Sequence, residues 1–257
     1  MNVELIPVKV RPMKDRFDLF QTIVQHIEEN KQNVLDGDIV VLSSKFVSMS
    51  QGSLVALNKI KPSKQASQIA ENLNMDARLA ELVLRESDFI FNGVPGFILA
   101  VKDGVIAPNA GIDRSNVQHG YAILHPREPF RVAEMLRRKF LVYQGKKVGI
   151  VITDSRLMPT RIGTIGIAVA ASGFEPVQDL RGSKDLFGNT LRVTLKATAD
   201  SIATAANMLM GESDESIPVV IIRNLNVTMS DRALSWNDLA IPSEQCIYVR
   251  GLRYSTI

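Results

Sequence analysis

The chemistry suggested by this sequence centres on Asp154 and Ser155. They follow Val148, Ile150, Val151 and Ile152, a nearly continuous apolar run. Such a run suits a strand covered on both faces, and it stops at Thr153, Asp154 and Ser155. A carboxylate beside a hydroxyl at the end of a buried strand offers hard oxygen ligands to a cation such as Mg²⁺. Arg156 and Arg161 come next. A guanidinium meets phosphate or carboxylate oxygens in bidentate fashion. Gly163, Gly166 and Gly173 then let the backbone pass close to a ligand or another strand. The competing reading is a strand end with a solvated acid and two surface arginines. Asp113 and Glu212 also fall at the ends of regular elements. If the fold brings them to Asp154, the three acids make a site for one or two divalent cations. Taken singly, such acids are caps or solvated turns.

The elements that must position these residues can be read from periodicity. Met1 to Val10 alternates apolar and polar residues, as a half-buried strand does, and Arg11 to Lys14 breaks it. Phe17, Phe20, Ile23, Val24 and Ile27 predict a helix over 15–33, with His26 at its surface. Ile39 to Leu42 is a strand ending in Ser43, Ser44 and Lys45, which either meet a phosphate or form a polar loop. Helices are expected over 64–73, capped by Ser63, and over 77–85. Asp103-Gly104 between Phe97–Val101 and Val105–Ala107 signals a hairpin. The loop from Pro108 to Asn116, rich in small, amide and acid residues, either turns the chain or binds something. A helix over 129–143, a strand over 190–195 and a small-residue helix from Ala197 to Met210, stopped by Gly211, follow. Ile217 to Ile222 and Ile247 to Arg250 complete the expected strands. Strands and helices do not alternate strictly, which points to α+β architecture, with mixed or antiparallel sheets packed by helices. The 257 residues form one unit or two intimately joined subdomains.

Composition excludes several classes. A net charge of +3 without a long lysine/arginine block argues against nucleic acid as a partner. No apolar stretch approaches a membrane span, and the N-terminus carries charges where a secretory signal would not. The one cysteine, Cys246, cannot form an internal disulfide, which fits the cytoplasm. The three histidines lack metal spacing. No phosphate-loop pattern, Gly-x-Gly-x-x-Gly fingerprint or nucleophile elbow is present.

Six stretches, VVLSSKFVS, Glu86-Ser87, NAGIDRSNV, VGIVITDS, RGSKDLFGNTLRVT and ADSIATAANMLMGESDESIPVVIIR, carry a resemblance. In order and spacing the chain resembles the coenzyme F-420-0:L-glutamate ligase (F-420 gamma-glutamyl ligase) family over about residues 1–225. The resemblance implies that family's α+β fold and a homodimer. It implies a GTP-dependent enzyme that adds L-glutamate to the deazaflavin precursor F-420-0 through an acyl phosphate. It places divalent metal, Mg²⁺ or Mn²⁺, on Asp113, Asp154, Ser155 and Glu212, with Asp113 and Asp154 catalytic and K⁺ as a further cation. It places nucleotide contacts on Pro12, Met13, Ser44, Lys45 and Asn116. The turn of Met210, Gly211, Glu212, Ser213, Asp214, Glu215, Ser216 and Ile217 supplies the others. Two departures stand out. Arg156 to Arg161 replaces a Gly-Arg segment with a further arginine, and Met49 stands where the family usually has lysine. The first favours a ligase with another carboxylate acceptor, and the second a non-catalytic nucleotide binder.

Overall fold

Two strands with no exposed core position, one ending at Ser43 and one containing Asp154, set the frame of the molecule. The structure, a computed structural model, describes residues 2–13, 15–103 and 105–253. In chain order, β1 (Glu4–Val8), α1 (Leu19–Glu29), β2 (Ile39–Ser43) and α2 (Ser44–Ser50) precede β3 (Leu54–Ala56), α3 (Lys64–Asn72) and α4 (Ala77–Glu86). Next are β4 (Phe89–Val94), β5 (Phe97–Lys102), β6 (Val105–Pro108), β7 (Tyr121–Ile123), α5 (Pro129–Gln144), β8 (Gly149–Leu157) and β9 (Thr164–Ser172). Then come β10 (Val177–Asp179), β11 (Leu195–Ala197), α6 (Thr198–Met210), β12 (Val219–Arg223) and α7 (Ile247–Arg253).

The main sheet runs β1-β12-β2-β8-β9, and only β2 and β8 pair in parallel. Strand period two sorts its residues to opposite faces. Val40, Leu42, Ile150, Ile152 and Ile221 pack with Ile23 and Ile27 of α1 and Leu136 and Phe140 of α5. Ile39, Val41, Val151, Val220 and Ile222 pack with Ala199, Ile202, Ala203 and Ala206 of α6. Each fully buried Val or Ile contributes roughly 1.5–3 kcal/mol, so this layer dominates stability. A third cluster, built on Leu79, Val83, Ile98 and Ala100, joins α3 and α4 to the antiparallel sheet β4-β5-β6. The architecture is α+β, as the mixed pattern of elements led us to expect.

The hairpin and the cap fall where they were read. β5 pairs antiparallel with β6, and Ser63 Oγ accepts the Ala66 amide at 3.1 Å. Several elements differ. The first helix spans only Leu19–Glu29, because Asp18 caps it by accepting the Gln21 amide. His26 is buried, not at the surface. Its Nδ1 bonds the Thr22 carbonyl, and Nε2 accepts the Arg11 amide at 3.4 Å. Ser44 and Lys45 open a short helix instead of a polar loop, held by burial of Phe46 and Val47. The strand expected over 190–195 is displaced to Leu195–Ala197, and Ile247–Arg253 is helical. β8 does not stop at Thr153. It shifts register between Ile152 and Thr153 and runs on to Leu157 against β9, a strand the sequence did not announce. Met1, Lys14 and Gly104 of the expected elements lie outside the described residues.

Candidate active site

Asp154 is carried by β8 just beyond the register shift, with Ser155 next to it on the opposite face. Ser44, the first residue of α2, reaches across from the end of the neighbouring strand. Its Oγ donates to Asp154 Oδ1 at 2.8 Å. The parallel pairing Ser43↔Thr153 is what sets these two chain ends side by side. Arg156 Nε donates to Asp154 Oδ2 at 3.2 Å, so both carboxylate oxygens have a protein donor. Each oxygen keeps a lone pair for a further ligand.

Asp113 arrives from a different part of the chain. It makes an isolated antiparallel bridge with Ile123, and its carboxylate takes hydrogen bonds from the Arg114 and Ser115 amides and from Ser115 Oγ. Lys45 Nζ lies 2.8 Å from Asp113 Oδ2 and donates to Ser115 Oγ at 2.7 Å. Partial burial pushes the Asp113 carboxyl up, but the Lys45 and Ser115 hydrogen bonds outweigh it and hold the group below its usual value. Lys45 and Met49 are one turn apart on α2 and both face this space.

Glu212 follows the glycine that stops α6. Its Oε1 accepts from Ser155 Oγ at 2.5 Å, Thr164 Oγ1 at 3.0 Å and Asn207 Nδ2 at 3.2 Å. Gly211 has φ 68 and ψ −174, a conformation open almost only to glycine. A Cβ there would run into the Glu215 carboxylate. Beyond it, Asn116 Nδ2 donates to the Ser213 carbonyl at 2.6 Å. The turn is tied to the N-terminal segment by Ser216 Oγ donating to Val10 O at 2.7 Å and by Val10 N donating to Ser216 O at 2.9 Å.

These pieces enclose one cavity of about 380 Å³. Every metal and nucleotide position that the resemblance implied lines it except Glu215, whose carboxylate is turned back to the Ser213 amide at 2.9 Å, whereas Arg156 and Arg161 do not line it. Asp113, Asp154, Ser155 and Glu212 thus share one space, although among the described residues no three His, Cys, Asp or Glu side chains cluster as a metal centre. The donors are oxygen alone, which suits Mg²⁺ or Mn²⁺ and not a softer ion. Sequence reasoning missed Asn207, Thr164 and His125. Asn207 had a signal: an amide in an otherwise small, apolar helix wants a partner. Gly166 allows close approach, but to α6, where a Cβ would meet the Ala203 carbonyl.

Fold and cavity together define an α+β protein with a pocket that carries carboxylates, hydroxyls and a lysine. The family described as F420-0:Gamma-glutamyl ligase matches residues 7–224, and the chain belongs to that family of ligases. Proteins named Coenzyme F420:L-glutamate ligase are similar to it. The one from Archaeoglobus fulgidus is 39% identical over 228 residues, 88% of this chain and 90% of that protein. Those from Methanopyrus kandleri and Methanocaldococcus jannaschii are 38% and 36% identical, covering 88% and 96% of this chain and 87% and 97% of those proteins. Among the described residues no helix is long and apolar enough to cross a membrane.

Proposed function

We propose that this protein is a GTP-dependent ligase that joins L-glutamate to the deazaflavin precursor F420-0 in γ-glutamyl linkage. The observation that carries the reading is the meeting of Asp113, Asp154 and Glu212, from three distant stretches, in one cavity with Lys45. In the proposed reaction a carboxylate oxygen of the precursor attacks the γ-phosphorus of GTP, and the bond to the β-phosphate oxygen breaks, releasing GDP. The glutamate amine then attacks the acyl carbon, loses a proton, and phosphate leaves. A bound Mg²⁺ or Mn²⁺ would neutralise charge on the phosphoryl oxygens, held by Asp113, Asp154, Ser155 and Glu212; K⁺ is a further cation in this reading.

The chain's own groups suit the remaining tasks. Lys45 supplies a point charge for phosphate where Met49 cannot. The turn from Met210 to Ile217 presents backbone groups, with Pro12 and Met13 on the adjoining segment. Ser44 and Arg156 keep Asp154 oriented. A homodimer is part of the proposal. Ile162, Leu186 and Phe187 are at least 91% exposed in the single chain, an exposure that a partner would relieve. Light scattering of the purified protein tests it, and a monomer at working concentration contradicts it.

Hydroxylamine tests the acyl phosphate. Added with GTP, Mn²⁺ and precursor but no glutamate, it is expected to yield a hydroxamate with one GDP per molecule trapped. GDP release without hydroxamate contradicts the intermediate. A panel of other carboxylic acids in the same assay tests the acceptor, and response to another acid alone moves the assignment there.

A further inference from the structure

Arg156 is 8% exposed and is not among the residues lining the cavity. A buried guanidinium is tolerated only when its donors are used. Arg156 spends them on three separate pieces of chain. Nε donates to Asp154 Oδ2 at 3.2 Å, on the same face of β8 two residues away. Nη1 donates to the Ile106 carbonyl of β6 at 3.2 Å. Nη2 lies 3.4 Å from His125 Nε2, just past β7. Because arginine can only donate, His125 must accept through Nε2 and carry its hydrogen on Nδ1. Burial holds this imidazole below its ordinary pKa, which agrees with a neutral ring.

Ile106 and His125 bracket the segment that carries Asp113. His125 is also locked in place, since its ring packs so closely on Gly111 that a Cβ there would lie 2.7 Å from Cδ2. Arg156 therefore joins the strand of one cavity carboxylate to both ends of the segment bearing the other.

We propose that Arg156 is a positioning residue that fixes Asp154 and Asp113 at a set separation, acting from behind the cavity wall and braced by His125. The inference rests on the reading that these two carboxylates hold a divalent cation. It makes a prediction opposite to simple electrostatics. Removing a positive charge beside Asp154 should tighten cation binding if charge dominates, and weaken it if positioning dominates.

The test is Mn²⁺ binding to the nucleotide-free protein, followed by electron paramagnetic resonance of free Mn²⁺, in the parent chain and in Arg156→Met, Arg156→Lys, His125→Gln and Asp154→Asn. Arg156→Met is expected to weaken Mn²⁺ about tenfold, the size of effect seen when groups supporting a metal ligand are lost. Arg156→Lys should recover part of it, since lysine keeps a donor for Asp154 but not the three-way planar fork. Hydrogen exchange over residues 106–116 should rise in Arg156→Met, with other segments unmoved. His125→Gln keeps an acceptor and should lose less than Arg156→Met; it also serves if Arg156→Met fails to fold. Unchanged or tighter Mn²⁺ binding in Arg156→Met or, should that variant not fold, in both Arg156→Lys and His125→Gln overturns the inference alone, provided Asp154→Asn abolishes binding. No binding to the parent chain, or binding unmoved by Asp154→Asn, overturns the metal reading and this inference with it.

Discussion

The two walls of the cavity are built differently. One wall stands on the main sheet. Ser44 opens α2 directly after β2 and Asp154 lies within β8, each two residues beyond a core position, Leu42 and Ile152, that has no exposed surface, and their side chains are bonded to each other. The opposite wall is loop. Asn116, Gly211 and Ser216 all have positive φ, and several of its ties end on backbone groups, as from Asn116 to Ser213 and from Ser216 to Val10, whereas Glu212 of the turn is bonded to side chains of the sheet and α6. The difference teaches a division of labour. The sheet wall presents side-chain oxygens in fixed geometry, as charge stabilisation in a reaction requires. The loop wall presents backbone groups along a turn, which suits a cradle for a ligand.

If that division holds, substitutions on the two walls should separate in kinetics. Asp154→Asn should lower turnover by on the order of 10²-fold or more, with nucleotide binding retained, as steady-state rates and GTP titration would show. A variant that loses GTP binding and keeps its rate constant would break the comparison. Gly211→Ala should act on the other wall. A non-glycine residue in that conformation costs about 1–3 kcal/mol. The expected result is a raised KM for GTP with a smaller change in kcat. Asn116→Ala is milder. It removes one hydrogen bond worth about 0.5–1.5 kcal/mol, or roughly twofold to twelvefold in KM.

The smallest effect is one of pH. Glu134 on α5 is held at about 2, first by its hydrogen bond from Arg137, with Ser172 of β9 and Arg138 adding to it. Its folded value lies below the unfolded one. The stability it contributes is therefore present above the unfolded value of about 4.3 and falls as pH drops towards 2. Thermal melts should lose a few degrees between about pH 5 and pH 3, and Glu134→Gln should flatten that part of the curve. Equal acid sensitivity in the variant would assign the loss elsewhere.

Most of the cavity's lining was legible because its residues sit in short runs with distinctive order: NAGIDRSN, ITDS and MGESDESI. What the sequence did not announce depends on tertiary partners. β9 is rich in Gly and Ala, weak strand formers, and exists because it pairs with β8 and packs on α6. α2 is seven residues long, too short to form alone, and is held by its buried face. His26 was legible in principle, since it shares a helix face with Thr22, Ile23 and Ile27. Arg156 read either as an anion-binding arginine or as a surface one, because nothing in the local sequence places Ile106 and His125 beside it.

The measurement that tests the account most directly is mass spectrometry of the deazaflavin precursor incubated with L-glutamate, GTP and Mn²⁺, for the parent chain beside Asp154→Asn. The account predicts a mass gain of whole glutamyl units, with GDP released, that disappears in the variant. An unchanged precursor mass with the parent chain, or an equal gain with Asp154→Asn, would contradict it.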